Sequence, residues 1–556
     1  MERKYFDLSG LVWLFFIAIL LLLLGLPMYW LIKNSLLVDD RLSLLNYQTV
    51  LTQPRFRTCI INSLILAAGS SILSLILGTT TAWLISRTDL PWKRLFRSLL
   101  SLVLAMPPFL SAIAWILLAA PNSGWINKVY RNWTGAQTEI VNVYSMWGAI
   151  FVIGLSTYPY VFLLTSNALS LVNSELEDAA SNLGANRWHL ISKITLPLVA
   201  PAIAAGGILA FLEAIALFGS PNLLLLPARK FVITTEIWQL FEYPPQVEVA
   251  SALSICLILV TATLVWIQRS LINSKNYAVI TGKVGRRREM NLGIARIPAL
   301  IYCVGVCTIS LLMPVLMLLR TAVSKSWSRP FNLDNFTGKW FGDILGNDSA
   351  YLAIKNSFLF AAVAATAAMV IALAISYLVN RQLVWGHQIL GLLPMLPIAI
   401  PGIVIAVSIF SAYTKPPLVL YGTAAILIVA FTTRFLPVAF SNASTTILSI
   451  NPELESAARN LGANSNYTLR NIVFPLVRKG FISGWLLVLI LSVRELSCAI
   501  LLFTIDTQVI STALFEYVSE SSYERLSALA IIMLSIVFAI VLLAERFLGK
   551  DFLLEN

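Results

Sequence analysis

Few residues in this chain could do chemistry, and most of them sit where charge is expensive. The stretch "AFLEAIALFGSPNLLLLP" sets Glu213 among apolar neighbours, close to Gly219, Ser220 and Pro221. "LILSVRELSCAILLF" sets Arg494 beside Glu495, and Arg434 lies in a further apolar run. Ionisable side chains inside apolar segments are costly there and mark substrate or ion paths. Glu213 and Glu495 could line a path for a hard cation, because such ions favour oxygen ligands and need their charge neutralised. Tyr158 and Tyr160 could assist them. A structural alternative stands beside this one, with Glu495 paired to a basic residue such as Arg434. On one helix, Arg494 and Glu495 would point about 100° apart and need not pair with each other. Glu236, Glu242 and Tyr243 fall in the loop "TTEIWQLFEYPP".

Other chemistries find no support. The two histidines, His189 and His387, have no metal-ligand or triad partner at recognisable spacing. The five cysteines (Cys59, Cys256, Cys303, Cys307, Cys498) lie in or beside apolar runs, which is neither a disulfide framework nor a zinc pattern. "TGKVG" at Thr281 and "TGKW" at Thr337 both lack the upstream glycine and following Ser/Thr of a nucleotide-binding phosphate loop. The chain is therefore expected to bind no nucleotide, hold no cofactor of its own and catalyse no reaction.

The elements that must position these residues are membrane helices. Of 556 residues, 58% are hydrophobic and 12% charged, where a soluble chain would carry about 25% charged. Continuous apolar runs, each long enough for a bilayer core that takes about 20 residues per crossing, recur throughout. About twelve spans are predicted, near 11–33, 58–85, 96–119, 146–169, 198–220 and 247–267, then 297–319, 353–379, 388–412, 421–445, 476–503 and 526–547. The run from Leu11 reads as a retained helix, too long for a signal-peptide core. The fold class is all-α and polytopic, with a first half at 1–267, a basic linker at 268–296 and a second half at 297–556. The net charge of +12 reflects basic loops facing anionic lipid rather than nucleic acid. Gathering both termini, the linker and the polar loops at 173–197 and 451–475 on one side puts the richer share of Lys and Arg there, so that side is expected to be cytoplasmic.

Those two loops are copies of each other. "SELEDAASNLGANRWHLISKITLPLV" from Ser174 returns as "PELESAARNLGANSNYTLRNIVFPLV" from Pro452, each position 278 residues later, as Glu177 and Glu455 are. Further upstream, "INSLILAAGSSILSLILGTTTAWLISR" matches "KNSFLFAAVAATAAMVIALAISYLVNR" and aligns Asn62 with Asn356 and Arg87 with Arg381. The extra residues of the first half fall in "PNSGWINKVYRNWTGAQTEIVNVY". The halves are parallel repeats of six spans. Each polar loop reads as helix–turn–helix. Asn173 or Ser174 with Glu177, and Asn451 with Pro452, start a first helix. Gly184 and Gly462 stop it in the left-handed conformation. Asn186 and Asn464 cap a second helix, and Pro197 and Pro475 end that one. Ala179-Ala180 and Ala457-Ala458 would keep one surface flat for a partner.

The spacing Glu-x-Ala-Ala-x-x-x-Gly, then nine residues and Ile-x-x-Pro, resembles the coupling motif of ABC importer permeases. It occurs at Glu177, Ala179, Ala180, Gly184, Ile194, Pro197 and again at Glu455, Ala457, Ala458, Gly462, Ile472, Pro475. The resemblance spans nearly the whole chain, as two fused halves of the type I importer fold. It implies two copies of a cytoplasmic ABC ATPase, which would hold the ATP and Mg, a solute-binding protein on the outer face and a bacterial inner membrane around the chain. "LFGSPNLLLLPAR…TTEIW" and "RELSCAILLF" look most like the ferric-iron permeases, although Leu217 stands where that branch commonly has an aspartate. Transported Fe3+ is the implied cargo, with Glu213, Arg434, Arg494 and Glu495 on the path and Glu213 and Glu495 as metal contacts. Thiamine, phosphonate and polyamine are alternative cargoes. A secondary transporter is the competing class, but it has no use for two ATPase-docking loops.

Overall fold

Apolar runs of this length become helices because only a helix satisfies its own backbone inside hydrocarbon. The computed structural model describes residues 6–172, 183–184, 186–273, 290–330 and 332–548. The first half contains α1 Gly10–Ser35, α2 Pro54–Arg87, α3 Lys93–Ala105, α4 Pro108–Ala119, α5 Trp125–Thr134, α6 Met146–Leu171, α7 Ile191–Ala216, α8 Gly219–Leu225, α9 Ile233–Gln239 and α10 Val247–Asn273. The second half follows with α11 Gly293–Ala322, α12 Asp348–Asn380, α13 His387–Ala399, α14 Gly402–Tyr413, α15 Ala424–Leu448, α16 Pro452–Asn460, α17 Leu469–Val493, α18 Ile510–Ser519 and α19 Tyr523–Leu548.

Among the described residues, ten helices are long and apolar enough to cross a membrane, and twelve crossings result if each of two bent pairs is one span. Those pairs fall at the spans expected at 96–119 and 388–412, and each is sharply bent. α3 and α4 meet at 96°, and α13 and α14 at 111°. Pro107 and Pro108 in the first elbow, and Pro401 in the second, supply no N–H and cannot continue the preceding helix.

The core of each half is a three-helix bundle, α2–α6–α7 and α12–α15–α17. Small residues and hydroxyls bring these helices together, as is common where lipid removes the hydrophobic drive between helices. Ser74 Oγ lies 2.8 Å from Thr157 Oγ1, and Ser71 donates to the Gly207 carbonyl at 2.7 Å. At Gly78 a Cβ would come within 2.7 Å of the Tyr158 carbonyl, so no larger residue allows that approach. The leading helices cross over: α1 packs on α14 of the second half, and α11 packs on α4 of the first. A π-turn in each helps. The one at Leu21–Gly25 leaves carbonyls that accept from Tyr413 and, at 3.3 Å, from Thr433. The one at Thr308–Leu312 presents Ser310 to Tyr158 at 3.1 Å.

The aligned Asn-Ser pairs are staples on the face opposite the polar loops. Asn62 donates to the Phe231 carbonyl at 3.0 Å, and Ser63 accepts from the Ile233 amide at 2.8 Å. Asn356 donates to the carbonyls of Asp506 and Gln508 at 3.1 and 3.0 Å, and Ser357 accepts from the Ile510 amide at 2.6 Å. Each staple ties the long second helix of its half to the start of α9 or α18. On the same face the first half's extra segment forms α5, whose Lys128 donates to the Ser328 carbonyl at 2.8 Å and lies 5.4 Å from the Trp327 ring. Partial burial, then the charges of Arg320 and Arg131, hold the Lys128 ammonium below the usual lysine range.

Asn356→Ala removes the donor for two carbonyls. We expect a loss of about 1–3 kcal/mol, read as a lower unfolding midpoint of the purified chain in detergent. An unchanged midpoint would mean the staple carries no stability.

Candidate functional site: the polar loops and the central cluster

The backbone of the second polar loop is described throughout and the first loop only in part, since Asn173, Ser174, Glu177, Ala179 and Ala180 lie outside the described residues. Asn451 Oδ1 accepts from the Glu453 amide at 3.0 Å and Pro452 opens α16. Gly184 and Gly462 have φ of +86° and +88°, the left-handed region in which a side chain is strained. Asn186 and Asn464 each accept an amide hydrogen at 2.8 Å, from His189 and Tyr467. The prolines do not end the following helices. Each chain segment stays helical into α7 and α17, through π-turns at Ile191–Thr195 and Leu469–Val473. There the Leu196 and Phe474 amides reach back five residues, to the carbonyls of Ile191 and Leu469. The wider turn leaves room for the ring of the proline that follows.

The faces of α16 differ from the expected flat alanine surface. Ala457 is exposed, but Ala458 is buried against its own protein, so a charge there would disturb packing rather than docking. Glu455 is also buried. Arg381 Nε donates to its Oε1 at 2.9 Å and the Tyr377 hydroxyl donates to its Oε2 at 2.8 Å. Arg381 Nη2 also donates to the Ile450 carbonyl at 3.0 Å. Glu455 is thus the socket of a clamp that fixes α16 to the end of α12. In the first half Arg87, the repeat partner of Arg381, donates to the Val172 carbonyl at 3.3 Å. What the loops present outward is a Leu-Gly tip: Leu183 and Leu461 are each 89% exposed. Sequence reasoning missed the clamp, although the aligned arginines of the repeat were its visible signal.

The residues expected on the path do converge. Glu213, Arg434, Gln268 and Thr261 line one cavity of about 50 Å³ with Ile398–Pro401. The charges of Glu495 and Glu213 both act on Arg434, and those of Glu213 and Arg494 on Tyr160. Tyr158 is elsewhere, bonded to Ser310. Arg494 and Glu495 do not share a helix, because α17 ends at Val493. Glu495 turns back on its own segment, where its Oε1 accepts from the Cys498 amide at 3.0 Å, and Cys498 Sγ donates to the Gly402 carbonyl at 3.2 Å. No ion pair within 4 Å joins Glu495 to Arg434 among the described residues. Among those residues, too, no three of His, Cys, Asp and Glu converge as metal ligands. Glu236 is a buried partner of Arg55, with Cys59 Sγ donating to it at 3.5 Å. Burial raises its carboxyl above the usual range while Arg55 opposes that. Tyr243 is fully open to solvent.

Both elbows are held by arginine. Arg494 Nη1 donates to the Leu104 carbonyl at the end of α3, and Nη2 to the Tyr160 hydroxyl at 3.4 Å. Arg434 Nη1 donates to the Ile400 carbonyl at 2.7 Å. The Thr261 hydroxyl donates to the Ala399 carbonyl.

The clamp makes a direct prediction. Arg381→Ala leaves the Glu455 carboxylate buried without its partner, at a local cost on the order of 3 kcal/mol. The amides of α16 should then exchange with solvent at least tenfold faster in the variant, and Tyr377→Phe should give a smaller change. Equal exchange in Arg381→Ala and the parent chain would dismiss the clamp.

Comparison with known proteins places this geometry. The family model for "Binding-protein-dependent transport system inner membrane component" matches twice, at residues 70–276 and 368–549. The chain is similar to the ferric transport system permease protein FbpB of Actinobacillus pleuropneumoniae, 26% identical over 491 residues, 88% of this chain and 71% of that one. It is similar over nearly full length to the Fe(3+)-transport system permease protein FbpB 2 of Haemophilus influenzae, 25% identical, with 96% and 99% covered. The molybdenum transport system permease protein ModB of Escherichia coli is 31% identical over 198 residues, 35% of this chain and 83% of that one. Among solved structures, a bacterial alginate ABC transporter in complex with its pentasaccharide-bound periplasmic protein covers 49% of this chain and 98% of its own matched chain, at 20% identity and a TM-score of 0.42. With that domain matched in both halves, the chain belongs to the binding-protein-dependent transport system inner membrane component family and is a fused, two-half ABC importer permease.

Proposed function

We propose that this permease moves ferric iron inward across a bacterial inner membrane, driven by two copies of a separate cytoplasmic ATPase that dock on its two polar loops. The observation that carries the drive is the pair of exposed Leu-Gly tips, Leu183-Gly184 and Leu461-Gly462, presented identically by two halves of one chain. One exposed leucine alone would be ordinary, but the same leucine at the same place in both loops fits a matching groove on each of two partner copies. The clamp of Glu455 by Arg381 and Tyr377 would carry a push on the tip into α12, and Arg87 stands at the matching place in the first half. The ATP and its Mg belong to the partner, since this sequence has no phosphate loop. By this reading the loops, the linker and both termini are cytoplasmic, and a solute-binding protein delivers cargo to the opposite face.

The relatives named as ferric permeases, one of them matched over nearly its full length, support the cargo. The central cluster supports a path rather than a resident metal site. Two arginines offset two carboxylates there, so a bare cation meets no net negative charge, and passage without tight binding suits rapid release. Glu213 and Glu495 then shape the path without acting as a ligand pair.

Uptake of radiolabelled ferric iron tests this in cells lacking the chain, with the ATPase and binding protein retained. The parent chain should restore high-affinity uptake, and Leu461→Asp should reduce it at least tenfold at unchanged membrane abundance. Restoration of thiamine, phosphonate or polyamine uptake in place of iron would replace the cargo. Full iron uptake by Leu461→Asp would remove the docking role of the tip.

A further inference from the structure

The two elbows are braced differently, and the difference singles out one residue. Arg434 holds the carbonyl of Ile400 within its own half. Arg494 reaches across the seam, from the end of α17 in the second half to the Leu104 carbonyl and the Tyr160 hydroxyl in the first. The Leu104 carbonyl near the end of α3 can find no helical donor, because the residue four positions on is Pro108, and it carries part of the negative end of the helix dipole, which suits a guanidinium. The seam is tight at this level: a Cβ on Gly219 of the first half would lie 2.7 Å from Leu496 Cδ2 of the second.

A pathway between the halves opens only if these cross-seam contacts part. Arginine stays charged in proteins, and a charge in a low-dielectric interior needs an acceptor at every stage. Glu495 is already turned onto the Cys498 amide. Glu213 is not engaged in this way: among the described residues its carboxylate takes part in no hydrogen bond, it lines the cavity, and its charge and that of Arg494 both reach Tyr160. We propose that Arg494 is a two-position bolt, holding the Leu104 carbonyl of the first half when the path is shut and turning to the Glu213 carboxylate when the halves part. This rests on the importer reading but not on the identity of the cargo. It changes the role of Glu213 from a contact for the cargo to the receiver of the bolt.

The two positions predict opposite defects. The complete transporter is reconstituted in liposomes holding a fluorescent chelator, and quenching by external Mn2+ is followed without ATP. Arg494→Met should leak at least about tenfold faster than the parent, the scale of one lost charge-assisted hydrogen bond, and Arg494→Lys should restore much of the seal. Arg434→Met, which cuts a bond within one half, should stay sealed. Glu213→Gln should also stay sealed, yet lower the maximal rate of binding-protein-stimulated transport with an unchanged KM. A sealed Arg494→Met, or equal leaks in Arg494→Met and Arg434→Met, would overturn the bolt. A Glu213→Gln effect confined to KM would make Glu213 a cargo contact and overturn its receiving role. Mn2+ leak does not depend on ferric transport, so a wrong cargo would appear as absent uptake in the parent with the leak contrast intact.

Discussion

A backbone polar group inside hydrocarbon must find a partner, and the rest of this structure depends on meeting that demand where helices break. Straight helices meet it alone. Among the described residues the helices break at two elbows, at four π-turns and after α7 and α17, and donors or acceptors gather at those places. Arg494, Arg434 and Thr261 serve the elbow carbonyls. Tyr413 and Thr433 serve the first π-turn. Asn62, Ser63, Asn356 and Ser357 serve the returning segments on the far face. Several of these bonds join the two halves. The partners that make the breaks tolerable therefore also hold the halves together at the places where a transporter has to move.

The scaffold is duplicated more faithfully than the path it encloses. Bundles, leading helices, π-turns, staples and Leu-Gly tips occur in both halves. The ionisable path residues do not: at the spacing of the polar-loop repeat, Glu495, Arg494 and Arg434 face Leu217, Ala216 and Ser156, and Glu213 faces Leu491. The contact at the seam is correspondingly unequal, with a guanidinium on the second half and a carbonyl on the first. Two equal loops are consistent with two equal motors, and one unequal centre with a single shared path.

Much of this was legible in the sequence. Apolar runs of bilayer length marked the helices, and the exact register of the repeat marked the loops, their glycine stops and their asparagine caps. The elbows were less visible, because Pro-Pro and Ile-Pro inside an apolar run do not reveal whether the chain kinks slightly or turns by 96° or 111°. Pro197 and Pro475 misled for a related reason. Proline usually ends a helix, but a π-turn ahead of it makes room for the ring, and no local pattern announces that turn. The inward side of α16 was hidden as well. Glu455 looks like a surface residue of a polar loop until Arg381 and Tyr377, more than seventy positions away in sequence, are brought against it.

The central claim is that one chain supplies both halves of a complete translocation unit, each with its own motor contact. Native mass spectrometry of the transporter purified from the membrane tests it most directly. The account predicts one copy of this chain with two ATPase copies, and a loss of one ATPase for each leucine tip replaced by aspartate. One ATPase per chain in the parent complex, or two chains required to hold a pair, would contradict it.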